Sequence, residues 1–294
     1  MSMLTIEPGK IPTKDLHQFI LGAVAPRPIA FASTISKDGQ PNLAPYSFFN
    51  AFSSNPPILI FSSNRRVANN TTKDTLRNVE DTGEVVINVV SHSFVRQMAL
   101  SSVEYGAEIN EFEKAGFTPL PSEVVKPFRV AESPVQMECV VDQILPLGED
   151  GGAGNLIICR IVRMHIAEAV LTDKGRIDPD KIDLMGRMGR FYYVRASGAA
   201  VEEIVQDVAA FGIGFDQLPV GVKRSTLLTG NELAQLAAIT HLPNAIEAKI
   251  VLEQRPDWQV LLESGDTESL HRLIRELIAG GATETALQLA VLAG

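Results

Sequence analysis

Residues 27–75 read RPIAFASTISKDGQPNLAPYSFFNAFSSNPPILIFSSNRRVANNTTKDT, and this stretch decides the fold. Residues 28–36 are rich in β-branched and aromatic side chains, and residues 37–40 follow as a turn whose Asp-Gly pair tolerates positive φ angles. We therefore predict a β-hairpin. The returning arm, residues 41–49, contains two prolines that cannot donate to a central ladder, so we expect it to be irregular or to lie at a sheet edge.

Polar side chains follow the next apolar run, residues 58–61, which has the character of a buried strand. A phosphate monoester carries nearly two negative charges, so it needs hydroxyl, amide and cationic donors. The residues that we assign to a phosphate are Ser62, Ser63, Arg65 and Lys73, with Thr71 and Thr72 of the same chemical type. A solvated polar loop is the alternative interpretation.

A second group of side chains lies between these two runs. A flavin ring needs a flat apolar surface beside converging hydrogen-bonding groups. Four consecutive residues offer both, and we assign them to the ring and its ribityl chain: Ser47, Phe48, Phe49 and Asn50. Arg27 and Asn42 are further candidates, although Arg27, which lies between two prolines, has the alternative role of fixing the sheet edge.

Composition excludes several classes of protein. The 294-residue chain has a net charge of -9, which argues against a nucleic-acid partner because phosphate neutralisation needs a basic surface. No apolar run approaches the roughly 20 residues of a membrane helix, and residues 1–15 lack the apolar core of a signal peptide. We expect a cytoplasmic protein without a membrane partner.

The sequence also lacks the usual signatures of other active sites. Its five histidines are scattered without metal-ligand spacing, and neither GxGxxG after a strand nor GxxxxGK[ST] occurs, so we predict no metal, Rossmann or P-loop site. Cys139 and Cys159 each lie in a predicted strand, and we interpret them as buried thiols rather than a disulfide or metal pair. No Ser-His-Asp or paired-carboxylate constellation appears, so we assign no catalytic residue.

From about residue 199 the pattern becomes helical. An apolar stripe occurs at Val201, Ile204, Val205 and Val208. Residues 229–232 form a capping-box pattern, Asn244 with Glu247 starts another helix, and residues 270–278 form an apolar stripe that ends at two glycines. We predict two domains, residues 1–198 and an α-helical region at 199–294 of unknown role.

The motifs PRPIAF, DGQPNLAPYSFFN, SSNPPILIFS, KDTLRN, GEVVINVV, INEFEKAGF and AESPVQMEC occur in this order. In this series, residues 10–195 resemble the flavin reductase-like FMN-binding split-barrel family, in particular its flavoredoxin-like members. The resemblance implies a mainly β fold with α-helices, in which an FMN-binding split β-barrel precedes the helical region, and it implies a homodimer. Residues 183–193 resemble the family's closing motif, which makes Arg187 a candidate charge partner of the flavin; a surface arginine is the alternative.

The resemblance implies an oxidoreductase that passes hydride or electrons from NADH or NADPH through FMN to a flavin or protein acceptor, such as a monooxygenase component. Reductases of the family that serve monooxygenases carry Gly-Asp-His where this chain has Gly154-Asn155. A flavoredoxin-type electron carrier reduced by a partner protein therefore stays open. A non-catalytic FMN-binding module belongs to the same alternative. The third possibility is a structural or regulatory protein whose split barrel binds no flavin.

Overall fold

A computed structural model describes residues 2–204 and 211–294. These residues form two compact units, of which the first ends at Glu202 and the second begins at Glu203. Within the described residues, no helix combines the length and the apolar character that crossing a membrane requires.

The first unit is built on a seven-stranded antiparallel sheet with the strand order β2-β1-β5-β8-β9-β4-β3. Two small ladders, β6 with β7 and β10 with β11, lie outside it. The strands are β1 (Ala30–Ile35), β2 (Pro41–Tyr46), β3 (Phe49–Ser54), β4 (Pro57–Ser62), β5 (Glu84–Val89), β6 (Pro119–Leu120), β7 (Arg129–Val130), β8 (Val135–Pro146), β9 (Asn155–Ile166), β10 (Leu184–Arg187) and β11 (Tyr193–Ala196).

The predicted hairpin is formed by β1 and β2, which pair from Ile35 opposite Pro41 to Ala30 opposite Tyr46. Gly39 in the turn has a φ of 88°, a conformation that glycine adopts without strain. The strand β2 ends the strand order, so the prediction that the proline-containing arm lies at a sheet edge is confirmed.

The sheet must curl, because its two edge strands are consecutive in the chain. β2 ends at Tyr46 and β3 begins at Phe49, although they lie at opposite ends of the strand order. Three residue steps span at most about 11 Å, so both edges must approach each other. The result is a barrel that is open where residues 47–48 cross from one edge to the other.

Helices cover the sheet and its ends. The helices of the first unit are α1 (Thr13–Ala23), α2 (Asp74–Thr82), α3 (Val95–Leu100), α4 (Glu111–Ala115) and α5 (Pro179–Ile182), with 3₁₀ turns at His92–Phe94, Glu168–Val170 and Gly198–Ala200. The helix α2 buries Leu76 and Val79 and ends at Gly83.

Two hydrophobic cores lie against the sheet. Ala30 and Ala32 pack in a cluster with Phe61 and Leu76, whereas Phe31, which points the other way, packs in a second cluster with residues of α3 and α4. The first core also contains Cys139 and Cys159, which lie in β8 and β9 as buried free thiols. Burial raises the pKa of Cys159 to about 12.

The second unit is helical, with α6 (Val220–Lys223), α7 (Gly230–Ala237), α8 (Ala245–Glu253), α9 (Pro256–Ser264), α10 (Thr267–Ala279) and α11 (Thr283–Ala293), and a 3₁₀ turn at Phe215–Gln217. Both predicted capping boxes are present, at Thr229 and Asn244. The predicted stripe of residues 270–278 lies in α10, where Leu270, Ile274 and Ile278 are buried.

One helical prediction in this region has a different outcome. Val201 and Ile204 lie in a segment without helical structure. A short amphipathic stretch needs tertiary packing to be stable as a helix, and Ile204 is exposed. Val205 and Val208 of the same predicted stripe lie outside the described residues.

Candidate functional site

A cleft of about 350 Å³ opens where the chain crosses between the edges of the barrel. It is formed by the ends of β2 and β4, the loop after β4, the first turn of α1 and the loop between β8 and β9. The lining residues are Thr13, His17, Pro45, Tyr46, Ser47, Phe48, Ser62, Asn64, Arg65, Arg66, Val67, Lys73, Glu104 and Gly152.

The crossing brings the two predicted groups of residues together. The backbone N–H of Ser62 donates to the carbonyl of Phe48 at 2.8 Å, so the end of β4 lies directly beside residues 47–48. The Ser62 hydroxyl donates to Asn64 Oδ1 at 2.8 Å. Ser47, Phe48 and Ser62 therefore share one wall of the cleft, with aromatic and hydroxyl groups side by side.

The loop after β4 holds two arginines in fixed positions. Arg65 donates from Nε to Asn70 Oδ1 at 2.6 Å and from Nη2 to the Asn70 carbonyl at 2.7 Å. Arg66 donates from Nη1 to Thr71 Oγ1 at 3.1 Å and to the Thr72 carbonyl at 2.6 Å. Because neutral oxygens make the bonds of Arg65, its guanidinium charge remains available to an anion, whereas Arg66 also pairs with the carboxylate of Glu104.

Lys73 brings a third cation to the cleft. Burial, and then the charge of Arg66, lower the pKa of Lys73 below its ordinary 10.5. Its Nζ lies 5.2 Å from the centre of the Tyr46 ring, an arrangement that stabilises an ammonium on the ring face. In the residues that the structure describes, no carboxylate oxygen lies within 4.0 Å of Lys73 Nζ.

Tyr46 and Ser63 carry buried hydroxyls beside these cations. Tyr46 is 5% exposed and Ser63 is buried, and the hydroxyl oxygen of each has no hydrogen-bond partner in the described part of the chain. A buried hydroxyl without a partner costs free energy, so a ligand or water that reaches these atoms gains a hydrogen bond. Burial raises the pKa of Tyr46, which keeps it a neutral donor.

The glycine-rich loop between β8 and β9 closes one side of the cleft. Arg65 N–H donates to the Ala153 carbonyl at 2.9 Å, and Gly152 N–H donates to the Arg65 carbonyl at 3.1 Å. A Cβ on Gly154 would lie 2.7 Å from Ser62 Oγ, closer than real side chains approach. Glycine at 154 is therefore required for the loop to lie against Ser62.

The remaining predicted residues lie around the cleft rather than on its surface. Arg27 is 5% exposed and donates to the carbonyls of Leu21 at 2.7 Å and Val24 at 2.5 Å, at the end of α1. Its Nη2 also donates to the Met188 carbonyl at 3.2 Å, its Nε contacts Ser47 Oγ at 3.5 Å, and its guanidinium lies 6.0 Å from the Phe48 ring. Arg27 thus contacts Ser47 and Phe48 from the protein interior and helps to hold both side chains in position.

Asn42 is also a supporting residue, since its Nδ2 donates to Thr34 Oγ1 at 3.0 Å and Thr75 Oγ1 at 2.9 Å in a buried network. Phe49 and Asn50 belong to β3 and do not line the cleft.

Arg187 lines an adjoining cavity of about 160 Å³ that shares Pro45, Tyr46 and Ser47 with the cleft. Its backbone pairs with that of Arg27, with N···O distances of 2.9 and 2.8 Å. Its guanidinium lies 4.5 Å from the centre of the Tyr193 ring and donates to the Arg190 carbonyl at 2.5 Å.

Several residues that line the cleft were not among the predicted site residues, and three of them are Tyr46, Arg66 and Glu104. Tyr46 lies one residue before the predicted ring group, and Arg66 follows Arg65. Both could therefore have been predicted from their positions in the sequence. Glu104 gave no signal, because it reaches the cleft from a distant segment and pairs with Arg66 Nε at 3.0 Å.

The donor set fits a flavin mononucleotide. Hydroxyl and cationic donors suit a phosphate, and an aromatic side chain beside a serine suits the ring. No group of three His, Cys, Asp or Glu side chains suited to a metal ion occurs in residues 2–204 and 211–294.

Comparison with known proteins agrees with this geometry. The family model for the flavin reductase like domain matches residues 22–179. Nitrilotriacetate monooxygenase component B from Bacillus cereus is 34% identical in sequence, and its structure covers 70% of this chain and 99% of that chain with a TM-score of 0.64. The 2-nitrobenzoate 2-nitroreductase of Pseudomonas fluorescens is 27% identical in sequence. Its structure covers 70% of this chain and 98% of that chain with a TM-score of 0.62.

A flavin reductase with a split barrel domain from Shewanella frigidimarina, described as putative, shows the fold alone, since it is 23% identical. Its structure covers 67% of this chain and 95% of that chain with a TM-score of 0.56. The predicted split barrel is thereby confirmed. The matched family model ends before the second unit begins.

Proposed function

The chain belongs to the flavin reductase-like family, and from this premise we propose that it is an FMN-binding oxidoreductase. In this proposal electrons pass from NADH or NADPH through FMN to a flavin or to a protein acceptor. The name of the Bacillus cereus structure, a monooxygenase component, supports a monooxygenase partner as one such acceptor.

One observation carries the proposal: three cations and the Ser62 hydroxyl lie in the same cleft as Ser47 and Phe48. Ser62 and these three cations, Arg65, Arg66 and Lys73, would hold the phosphate. Ser47 and Phe48 would orient the ring and ribityl chain. Bound FMN supplies the redox chemistry, by accepting hydride or electrons and passing them on. The side chains bind, orient and exclude water, and no proton-transfer residue is required of them.

Four predicted residues have an indirect or secondary place in this proposal. Arg27 and Asn42 hold the cleft walls in position, and Ser63, whose hydroxyl is buried without a partner, adds a donor behind Ser62. Arg187 supplies positive charge beside Ser47 from the adjoining cavity. Phe49 and Asn50 keep β3 paired with β4, and we no longer assign them contacts to FMN.

A flavoredoxin-type electron carrier is the second candidate, and Asn155 favours it. This residue is buried, and its Nδ2 donates to the Ser63 carbonyl at 2.9 Å. Its side chain therefore holds β4 and is not available to a nicotinamide in the cleft. In this version a partner protein, rather than NADH or NADPH, reduces the bound FMN.

We include a homodimer in the proposal because one part of the sheet is open. The edge strand β3 exposes most of its residues, and Phe52 is 63% exposed. Val162 and Met164 of β9 are also exposed. Unpaired edges and exposed apolar faces favour association. Light scattering should give twice the 31.9 kDa chain mass, and the 31.9 kDa mass itself would contradict the dimer.

The two candidates are separated by anaerobic reduction. The FMN-loaded protein is mixed with NADH and, separately, with NADPH, while the flavin absorbance is followed; dithionite serves as the control reductant. Rapid bleaching by either nucleotide supports the NAD(P)H-dependent enzyme. Bleaching by dithionite alone supports the carrier.

We also propose a cytoplasmic location, where thiols such as Cys159 stay reduced.

A further inference from the structure

Glu104 is the one acidic side chain among the described residues that line the cleft, where it faces three cations. Its Oε1 lies 3.0 Å from Arg66 Nε. A carboxylate and a phosphate make the same kind of charge-assisted hydrogen bond to a guanidinium. Glu104 therefore occupies an anion position in a cleft whose other side chains suit a phosphate.

Arg66 is well placed to exchange one anion for another. Its side chain is only 19% exposed, and Nη1 is held by Thr71 Oγ1 and by the Thr72 carbonyl. The Thr71 carbonyl also accepts the Arg66 backbone N–H at 2.9 Å. These bonds fix the guanidinium whether or not Glu104 is present, so removal of the carboxylate leaves a preorganised cation.

Glu104, in contrast, is loosely held. Its side chain is 64% exposed, and it lies on the segment 102–109 between α3 and α4. The ends of this segment are anchored, since Ser101 donates to the Met98 carbonyl at 2.7 Å and the backbone N–H of Phe112 donates to Asn110 at 3.1 Å. The Glu104 carboxylate can therefore leave Arg66 by rotation of its side chain, without unfolding of its anchors.

We propose that Glu104 is a tethered competitor for the phosphate subsite, which pairs with Arg66 when no phosphate is bound and is displaced when one binds. This inference rests on the proposed role of the cleft. Because each binding event must break the Glu104–Arg66 pair, the residue weakens the hold on the phosphate and keeps the bound nucleotide exchangeable. Ligands without a phosphate need not break the pair.

The size of the effect follows from the exposure of the pair. Partly exposed ion pairs contribute about 0.2–1 kcal/mol, and 1.4 kcal/mol corresponds to a factor of ten. Glu104→Gln should therefore raise the affinity for a phosphate ligand about 1.4- to 5-fold. The affinity for riboflavin, which lacks the phosphate, should not change.

The test uses inorganic phosphate as its probe, so it does not depend on flavin binding. The Arg66 Nε–Hε resonance is assigned with Arg66→Lys and followed by ¹⁵N NMR during phosphate titration of the wild type, Glu104→Gln and Glu108→Gln. Glu108 is the matched control, because it is an exposed carboxylate on the same segment and does not line the cleft. FMN and riboflavin titrations of the three proteins follow.

A half-saturating phosphate concentration that is about 1.4- to 5-fold lower in Glu104→Gln, and unchanged in Glu108→Gln, supports the inference. An equal or higher concentration in Glu104→Gln overturns it, even if FMN binds well. If the phosphate result is as expected but none of the three proteins binds FMN, the proposed function fails while the role of Glu104 stands.

Discussion

Lys73→Met should weaken the binding of FMN without lowering the thermal stability of the protein. Lys73 lines the cleft beside Arg65 and Arg66, and no carboxylate among the described residues lies within 4.0 Å of its Nζ. Its ammonium is partly removed from water, which is why its pKa is lowered. A bound phosphate would therefore stabilise this charge, which within the described residues has only the Tyr46 ring beside it.

The expected loss can be calculated from one hydrogen bond. A hydrogen bond to a charged group contributes about 1.5–3 kcal/mol, which corresponds to roughly a 10- to 100-fold increase in the Kd for FMN. Riboflavin has no phosphate, so its Kd should stay within about twofold of the wild-type value. Since methionine fills a similar volume without the cost of burying a charge, the melting temperature of Lys73→Met should not fall.

The assay is a flavin fluorescence titration of the wild type, Lys73→Met and Lys174→Met with FMN and with riboflavin. Lys174 lies on an exposed turn and provides the matched control. Equal weakening of both flavins, or an unchanged Kd for FMN, would refute the placement of the phosphate beside Lys73. In the wild type, FMN affinity should fall as the pH rises through the lowered pKa of Lys73, and Lys73→Met should lose this dependence.

Three further predictions concern ionisable groups outside the cleft. Glu138→Ala should lower the free energy of unfolding by about 3–5 kcal/mol in urea titrations, because its buried carboxylate accepts N–H donors of residues 123–125 and contacts His165 at 2.7 Å. Burial alone would raise the pKa of Glu138, but these donors lower it. The contribution of Glu138 to the free energy of unfolding is therefore present above the ordinary pKa of 4.5 and is lost as the pH falls through the folded-state pKa. An unchanged free energy of unfolding of Glu138→Ala at pH 7 would contradict this. Burial raises the pKa of Glu111, so the wild type should lose stability as the pH rises through this raised pKa. Glu111→Gln keeps an acceptor for the Leu43 N–H and should not show this loss. Parallel profiles of stability against pH for the two proteins would contradict this prediction. The Cys159 thiol, with a pKa of about 12, should react with a thiol reagent only after denaturation, and rapid labelling of the native protein would rule out its burial.

The strands and the hairpin could be predicted because their signals are local. Residues 37–40 form the expected turn, and the apolar run of residues 58–61 lies in the strand β4, where Leu59 and Phe61 are buried. The capping boxes of α7 and α8 are likewise local, since each depends on hydrogen bonds within four residues. Residues 201–204 carry only an apolar spacing, which does not by itself stabilise a helix.

The cleft was predictable only in part. Ser47, Phe48, Ser62, Arg65 and Lys73 lie on one continuous stretch, so their residue types indicated a shared site, and the structure places them on one cleft. Their assignment to FMN stays a prediction.

The remaining candidates depended on packing that a sequence does not show. Arg27 and Asn42 have the right chemistry, but tertiary contacts turn both side chains toward carbonyl and hydroxyl groups of the protein. Phe49 and Asn50 follow Ser47 and Phe48 directly, yet β3 begins at Phe49 and carries both away from the cleft. Glu104 comes from another segment, and only the fold brings it to Arg66.

A crystal structure of the protein with FMN is the most direct test of the central claim. We expect the flavin to lie in this cleft, with phosphate oxygens within about 2.7–3.2 Å of Lys73 Nζ and the Arg65 guanidinium and with its ring beside Phe48. Flavin bound elsewhere on the chain, or bound here with its phosphate away from both cations, would contradict it.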